Sequence, residues 1–244
     1  MITKRCAFAA AAVLVVTGCT SESSTSGCGV ASSGYTGTSA SELGAGSFEY
    51  TDKLTGRTPK SPPAIAKGGT FSLAFKAYDA PTTPAEVTFR SASSERLAGV
   101  GNDRFNALAE GLVAVFAMSK TDSSQVVDLV HLKIVAPLAI EIASDFISDP
   151  GAVKDLAKGN VELIEHDRIS FTGVFTGTGD DGEPLSLGGL SPTWTSSDED
   201  VLSVEVDEEY GWVWLSARKM GRADITVTGA GITKVLHVDV MGYR

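Results

Sequence analysis

A stretch near the middle of this chain returns about a hundred residues later. Ala107-Leu108-Ala109-Glu110-Gly111-Leu112-Val113-Ala114-Val115-Phe116-Ala117 aligns with Ala217-Arg218-Lys219-Met220-Gly221-Arg222-Ala223-Asp224-Ile225-Thr226-Val227. Both read Ala-x-x-x-Gly and then alternate apolar residues with small or polar ones. Val130-His131-Leu132-Lys133-Ile134 aligns with Leu236-His237-Val238-Asp239-Val240, and Ser93-Ser94-Glu95 aligns loosely with Ser196-Ser197-Asp198. The offsets are 110, 106 and 103 residues, unequal as changes in loop length would make them. Such a period means two copies of one small domain. Whatever the first copy folds into, the second must fold into as well. The boundary is expected between residues 135 and 136, after the last strand of the first copy, giving domains 48–135 and 136–244.

The alternation says what each copy is. Phe71 to Tyr78, Ala85 to Arg90, Val130 to Ile134, Ile169 to Phe171, Val201 to Val206, Trp212 to Trp214, Ile225 to Val227 and Leu236 to Val240 all read as strands. Clusters of Gly, Pro, Asp and Ser separate them. Many short strands at this spacing indicate an all-β sandwich or barrel. Two stretches compete for helix. Arg104 to Met118 places Phe105, Leu108, Leu112 and Val115 at helical spacing, but Gly111 and the repeat favour strands. Asp149 to Gly159 has an N-cap, a first-turn proline and a closing glycine, and reads equally as a short helix.

In the second copy the residues carry a family resemblance. Trp194-Thr195-Ser196-Ser197-Asp198, then Val201 and Val204, then Ala217-x-x-x-Gly221-x-Ala223-x-Ile225 and a last alternating strand resemble the bacterial Ig-like domain, group 2. The resemblance implies a seven-strand sandwich of the kind found in adhesins of the invasin and intimin type, with no catalytic residues. It gives Trp194, Ser196, Ser197, Asp198 and Gly221 structural roles. The first copy departs from it, with Ser91 where Trp194 would be and Glu95 for Asp198. The expected fold class is therefore all-β, two tandem Ig-like β-sandwiches behind a signal peptide and a flexible linker.

The N-terminus states an address. Lys4 and Arg5 precede an apolar run from Cys6 to Val16 that is too short to span a bilayer, which takes about 20 residues. Val16-Thr17-Gly18-Cys19 resembles a bacterial lipobox. That implies a lipoprotein signal peptide over 1–18, lipidation of Cys19 and a membrane as a partner through the lipid. Thr20, where inner-membrane lipoproteins often carry Asp, favours an outer membrane, with the chain facing either the cell surface or the periplasm. Residues 19–47 are rich in Ser, Gly and Thr and read as a tether reaching about 30 Å. After removal of the leader, Cys28 is the one cysteine besides Cys19. No intrachain disulfide can then staple the fold, so it must rest on its hydrophobic cores.

Charge narrows the partners. From residue 136 onward there are 8 basic and 19 acidic residues, which would repel nucleic acid. Three acidic clusters stand out: Asp180, Asp181 and Glu183; Asp198, Glu199 and Asp200; Asp207, Glu208 and Glu209. They read as solvated loops, with Asp180, Asp181, Asp198 and Asp200 the oxygen set for a weak calcium site. Gly177 to Gly182 spells G-x-G-x-x-G, but no helix follows and two aspartates would oppose phosphate, so a hairpin is expected. His131, His166 and His237 have no zinc-ligand spacing, and His131 and His237 should point outward from matching strands. Trp212 and Trp214 share one strand face, as core or as a sugar platform, with at least one expected in the core. The expected function is a non-catalytic, lipid-anchored surface or periplasmic protein, an Ig-like spacer or adhesive module without cofactor, with an unknown protein or glycan partner and cell adhesion as its use. The alternative is a carbohydrate- or protein-binding module using Trp212 and Trp214 or the acidic loops.

Overall fold

The computed structural model describes residues 38–40, 42–52, 64–78, 86–146, 156–207 and 211–242. The leader, Cys19, Cys28, Glu208 and Glu209 lie outside the described residues. The first half contributes β1 (Thr38–Ala40), β2 (Gly46–Asp52), β3 (Ala64–Ala66), β4 (Thr70–Ala77), β5 (Val87–Ser91), β6 (Leu97–Gly99), β7 (Arg104–Ala107), β8 (Gly111–Ser119) and β9 (Val126–Val135). The second contributes β10 (Ala139–Phe146), β11 (Asn160–Ile164), β12 (Arg168–Thr178), β13 (Pro184–Gly188), β14 (Thr193–Ser196), β15 (Leu202–Asp207), β16 (Trp212–Ala217), β17 (Gly221–Gly229) and β18 (Ile232–Met241). No α-helix occurs among the described residues. Arg104 to Met118 is two strands joined by a bend. Of the helix considered at Asp149 to Gly159, a 3-10 turn at Leu156–Lys158 is described and residues 149–155 lie outside.

Strand β4 shows why these segments extend. Its Phe71, Leu73 and Phe75 are buried, while Ala74 and Lys76 face solvent. The side-chain period of a strand is two, so this spelling puts one whole face into a core. The first core is aromatic. Phe48 meets Phe75 edge-on at 5.2 Å, and Phe71 stacks between Tyr50 at 5.2 Å and Phe105 at 5.7 Å. The second core is mainly aliphatic, with Phe171, Phe175 and Trp194 as its large members.

Both halves use one topology. In the first, the sheet β1-β2-β4-β7-β6 packs on β3-β9-β8-β5; in the second, β10-β12-β16-β15 packs on β11-β18-β17-β14. In each, a short strand (β3, β11) lies parallel to the last strand (β9, β18), and all other pairings within a sandwich are antiparallel. This is the Ig-like order, four strands on one sheet and the last, the second-last and the third on the other. The expectation of two tandem Ig-like sandwiches is met.

Strand pairing corrects the loose end of the repeat. Phe89 lies opposite Ala117 and Trp194 opposite Val227, and Ala117 and Val227 are repeat partners. Phe89, not Ser91, therefore stands where Trp194 stands. Ser91 matches Ser196: its Oγ accepts the Ser93 N–H at 3.1 Å, as Ser196 Oγ accepts the Asp198 N–H at 3.3 Å. The offset here is 105 residues rather than 103. Five serines within Ser91 to Ser94 and Ser196 to Ser197 made the slip easy.

The ordered fold also reaches back into the stretch that composition gives to the tether. β1 pairs with Ser47 to Glu49 of β2. Asp128, fully buried, accepts the N–H groups of Leu43 at 3.0 Å and Ala45 at 2.8 Å. The Glu42 carboxylate takes the His131 N–H at 3.0 Å. Strand pairing and carboxylate–amide hydrogen bonds, not large apolar side chains, hold these residues, so composition could not reveal them.

Candidate functional site

The feature that organises this molecule is the seam between its two sandwiches. β12 and β13 form a hairpin, Phe175 opposite Leu187 and Thr178 opposite Pro184. The outer edge of β13 then meets β3 of the first sandwich in parallel, Leu187 opposite Ala64 and Gly188 opposite Ile65. Since β3 also pairs with β9, one nine-stranded sheet runs through both sandwiches. β3 is three residues long and serves both cores: Ile65 packs in the first, Ala64 and Ala66 in the second. Alternate residues of a strand face opposite ways, so a strand lying between two cores does this without strain.

Beside the seam two glycines touch. A Cβ on Gly69 would lie 2.8 Å from the Ala66 carbonyl oxygen and 3.0 Å from the Gly189 carbonyl carbon. Both are backbone atoms with no freedom to move aside. Thr70 N donates to Gly189 O at 2.8 Å. Gly189 N donates to Asp52 Oδ2 at 2.9 Å, and the Tyr50 hydroxyl donates to the same oxygen at 2.9 Å. Asp52 is 6% exposed. Polar groups buried to this degree cost about 1–3 kcal/mol each when a partner is lost. Sequence reasoning missed Asp52, β3 and β13. One signal was available: the chain has two Gly-Gly pairs, Gly68-Gly69 and Gly188-Gly189, and the fold brings them together.

The family-motif residues hold a turn. Ser197 Oγ accepts the Asp224 N–H at 2.8 Å, and Asp198 Oδ1 accepts from Asp200 at 3.0 Å and Val201 at 3.3 Å. Gly221 has φ 154°, and a Cβ there would sit 3.0 Å from Val201 Cγ2; Gly111, its repeat partner, has φ 122° and faces Arg96 in the same way. Trp194 is 6% exposed and belongs to the second core.

Trp212 and Trp214 depart from expectation. Val213, Leu215 and Ala217 take the inner face of β16, and both tryptophans lie half-buried on the outer one. Apolar residues alternate on both faces of this strand, so periodicity could not choose between them. The rings are 6.3 Å apart and nearly perpendicular, at 83°. The Arg168 guanidinium lies 4.6 Å over Trp214 and pairs with Glu205 at 2.8 Å. Ser170, opposite Trp214, is fully buried. The pair therefore covers β12 and offers no coplanar open faces for sugar stacking.

The acidic loops are engaged locally. Asp180 pairs with Lys133 at 2.7 Å, and Asp181 Oδ1 accepts the Glu183 N–H at 3.1 Å within the β12–β13 turn. Asp198 and Asp200 belong to the turn already described. No group of three His, Cys, Asp or Glu side chains suited to a metal occurs among the described residues. The G-x-G-x-x-G letters close the β12–β13 hairpin, Gly179 N donating to Glu183 O at 2.8 Å. His131 and His237 lie on the exposed faces of their strands beside Glu42 at 2.6 Å and Asp224 at 2.7 Å. His166 sits in the turn before β12.

No family model matches this chain, and no curated protein matches it. Among solved structures it is similar to domains 4 and 5 of the S-layer protein SbsC, at 15% identity over 80% of this chain and 97% of that one, with a TM-score of 0.31. It spans 27% of a longer S-layer SbsC chain at 14% identity over 80% of its own length, TM-score 0.30. A titin Ig tandem gives 9% identity over 74% of this chain and 93% of that one, TM-score 0.25. At such distances no activity, partner or assembly passes from these proteins to this one.

Proposed function

We propose that this chain is a non-catalytic, lipid-anchored spacer or adhesive module of the bacterial cell surface, held to the outer membrane through Cys19. In this reading the two sandwiches are its two Ig-like domains, the first beginning ahead of residue 48 with β1 and β2, and both are carried on a tether. The observation that carries the reading is the sheet continuing through β3 and β13. A hinge between tandem domains needs a junction free of ladder hydrogen bonds and shared core. Here one strand feeds both cores and backbone bonds cross the seam, so the two modules move as one body. A stiff body on a tethered lipid suits standing a surface off a membrane. The anchor rests on Val16-Thr17-Gly18-Cys19. Replacing Cys19 with Ser and fractionating cells tests it: the parent belongs in the membrane pellet and the variant in the soluble fraction. A processed variant that remains in the pellet refutes the anchor.

A further inference from the structure

The end of the second sandwich opposite the seam carries an apolar patch. β12 runs from Arg168 at this end to Thr178 at the seam, and β2 runs from Gly46, at the far end of the first sandwich, to Asp52 at the seam. Ile164 lies opposite Met241, and they are 38% and 46% exposed. Met220, in the turn before β17, is 61% exposed, and its Sδ lies 2.6 Å from where a Cβ on Gly242 would be. Ile164 and Met241 face outward from the sheet, and Met220 lies at the end of β18 beside Gly242. In the first sandwich Ala66 and Val135 hold the places of Ile164 and Met241 by the same parallel pairing. There Ala66 is fully buried in the second sandwich's core and Val135 packs against it. The same end of the same fold already docks a sandwich once in this chain.

A second docking cannot copy the first. Asp167 stands where Gly69 stands, since Asp167 N donates to Ile164 O as Gly69 N does to Ala66 O, both at 2.9 Å. Its Oδ2 accepts the Ile164 N–H at 2.8 Å. With that edge amide engaged, a partner must bind through side chains. The rim supplies a pattern for this. Glu165 and Asp167 form an acidic turn, Arg218 and Lys219 a basic one, and the His166 N–H to Ala217 O bond at 2.8 Å sets the turns side by side. A two-fold axis at this end would bring the apolar residues of two copies together and could set the acidic turn of one copy against the basic turn of the other.

We propose that this end is a homophilic contact, occupied by a second copy of this chain docked end to end through Ile164, Met220 and Met241, with Glu165 and Asp167 against Arg218 and Lys219 of the other copy. The proposal rests on the spacer reading for its use, because chains anchored at their far ends would then bridge two surfaces, but its test does not need the lipid. The test is sedimentation equilibrium of the exported chain carrying Cys19→Ser, in reducing buffer to keep Cys28 from cross-linking, at low and high salt. We expect a monomer–dimer equilibrium that weakens with salt. Met220→Glu should raise the dissociation constant at least about tenfold, as loss of a central apolar contact does. Lys219→Glu should also weaken it, and adding Glu165→Lys should restore it. Monomer at every concentration overturns the proposal, as does a dimer indifferent to Met220→Glu. Either failure leaves the fractionation result for Cys19 standing on its own.

Discussion

The corner Lys67-Gly68-Gly69-Thr70 and the corner Glu165-His166-Asp167-Arg168 are one backbone with two fates. Lys67 N bonds Val135 O as Glu165 N bonds Met241 O, and Gly68 N bonds Ala107 O as His166 N bonds Ala217 O. Gly68 and His166 share a left-handed φ, 86° and 78°. What differs is what lies outside. The first corner is covered by the backbone of Gly189, and there the chain has glycine. The second faces solvent, and there it has residues that solvate it, with Asp167 closing the Ile164 amide. The local hydrogen bonds fix the path of the chain. The neighbour fixes the side chains. A repeat can therefore keep its fold while one copy becomes a joint and the other an end.

The largest effect expected from breaking this comparison lies in the cores. Trp194→Ala should destabilise the second sandwich by about 3–5 kcal/mol, measured by urea unfolding. The equivalent Phe89→Ala should cost about 2 kcal/mol or less, because Phe89 is only partly buried and less area returns to water. Equal costs would mean that the partial exposure of Phe89 does not lower its contribution to the core. Next comes the seam. Gly69→Val forces a side chain against two backbone groups and should cost about 1–3 kcal/mol. Asp167→Ala, at the matching place, loses one exposed hydrogen bond and should cost about 1 kcal/mol or less. A tolerated Gly69→Val would deny that the corner is covered. Asp52→Ala should cost about 1–3 kcal/mol by removing the buried acceptor that Gly189 N and the Tyr50 hydroxyl share, read as a lowered melting temperature. The smallest effect is none: millimolar calcium at matched ionic strength should leave the melting temperature unchanged. A rise of several degrees reversed by chelator would instead indicate a site in the acidic loops by mass action.

Much of this architecture was legible. The expected strands all form, because period-two spelling such as Phe71-Ser72-Leu73-Ala74-Phe75 leaves little else for the backbone to do. The Ala-x-x-x-Gly repeat marks the same bend twice, with Leu108 N on Arg96 O and Arg218 N on Val201 O. The rest was hidden for stated reasons. Ala64-Ile65-Ala66 is too short and too small-sided to announce a strand, and its partner comes from 123 residues away in β13. Trp212-Val213-Trp214-Leu215 is apolar on both faces, so its inner face depends on what packs there. Asp52 and Asp128 earn their burial from amides distant in sequence, which no local pattern encodes.

The joint itself is tested most directly by the distance between the sandwiches. Spin labels at residues 95 and 200, exposed and equivalent in the two copies, would report it by pulsed dipolar spectroscopy in a dilute sample with the native cysteines replaced by serine. One narrow distance distribution is expected, broadened by Gly69→Val. A broad distribution in the parent chain would contradict the single stiff body and return the two sandwiches to independent beads.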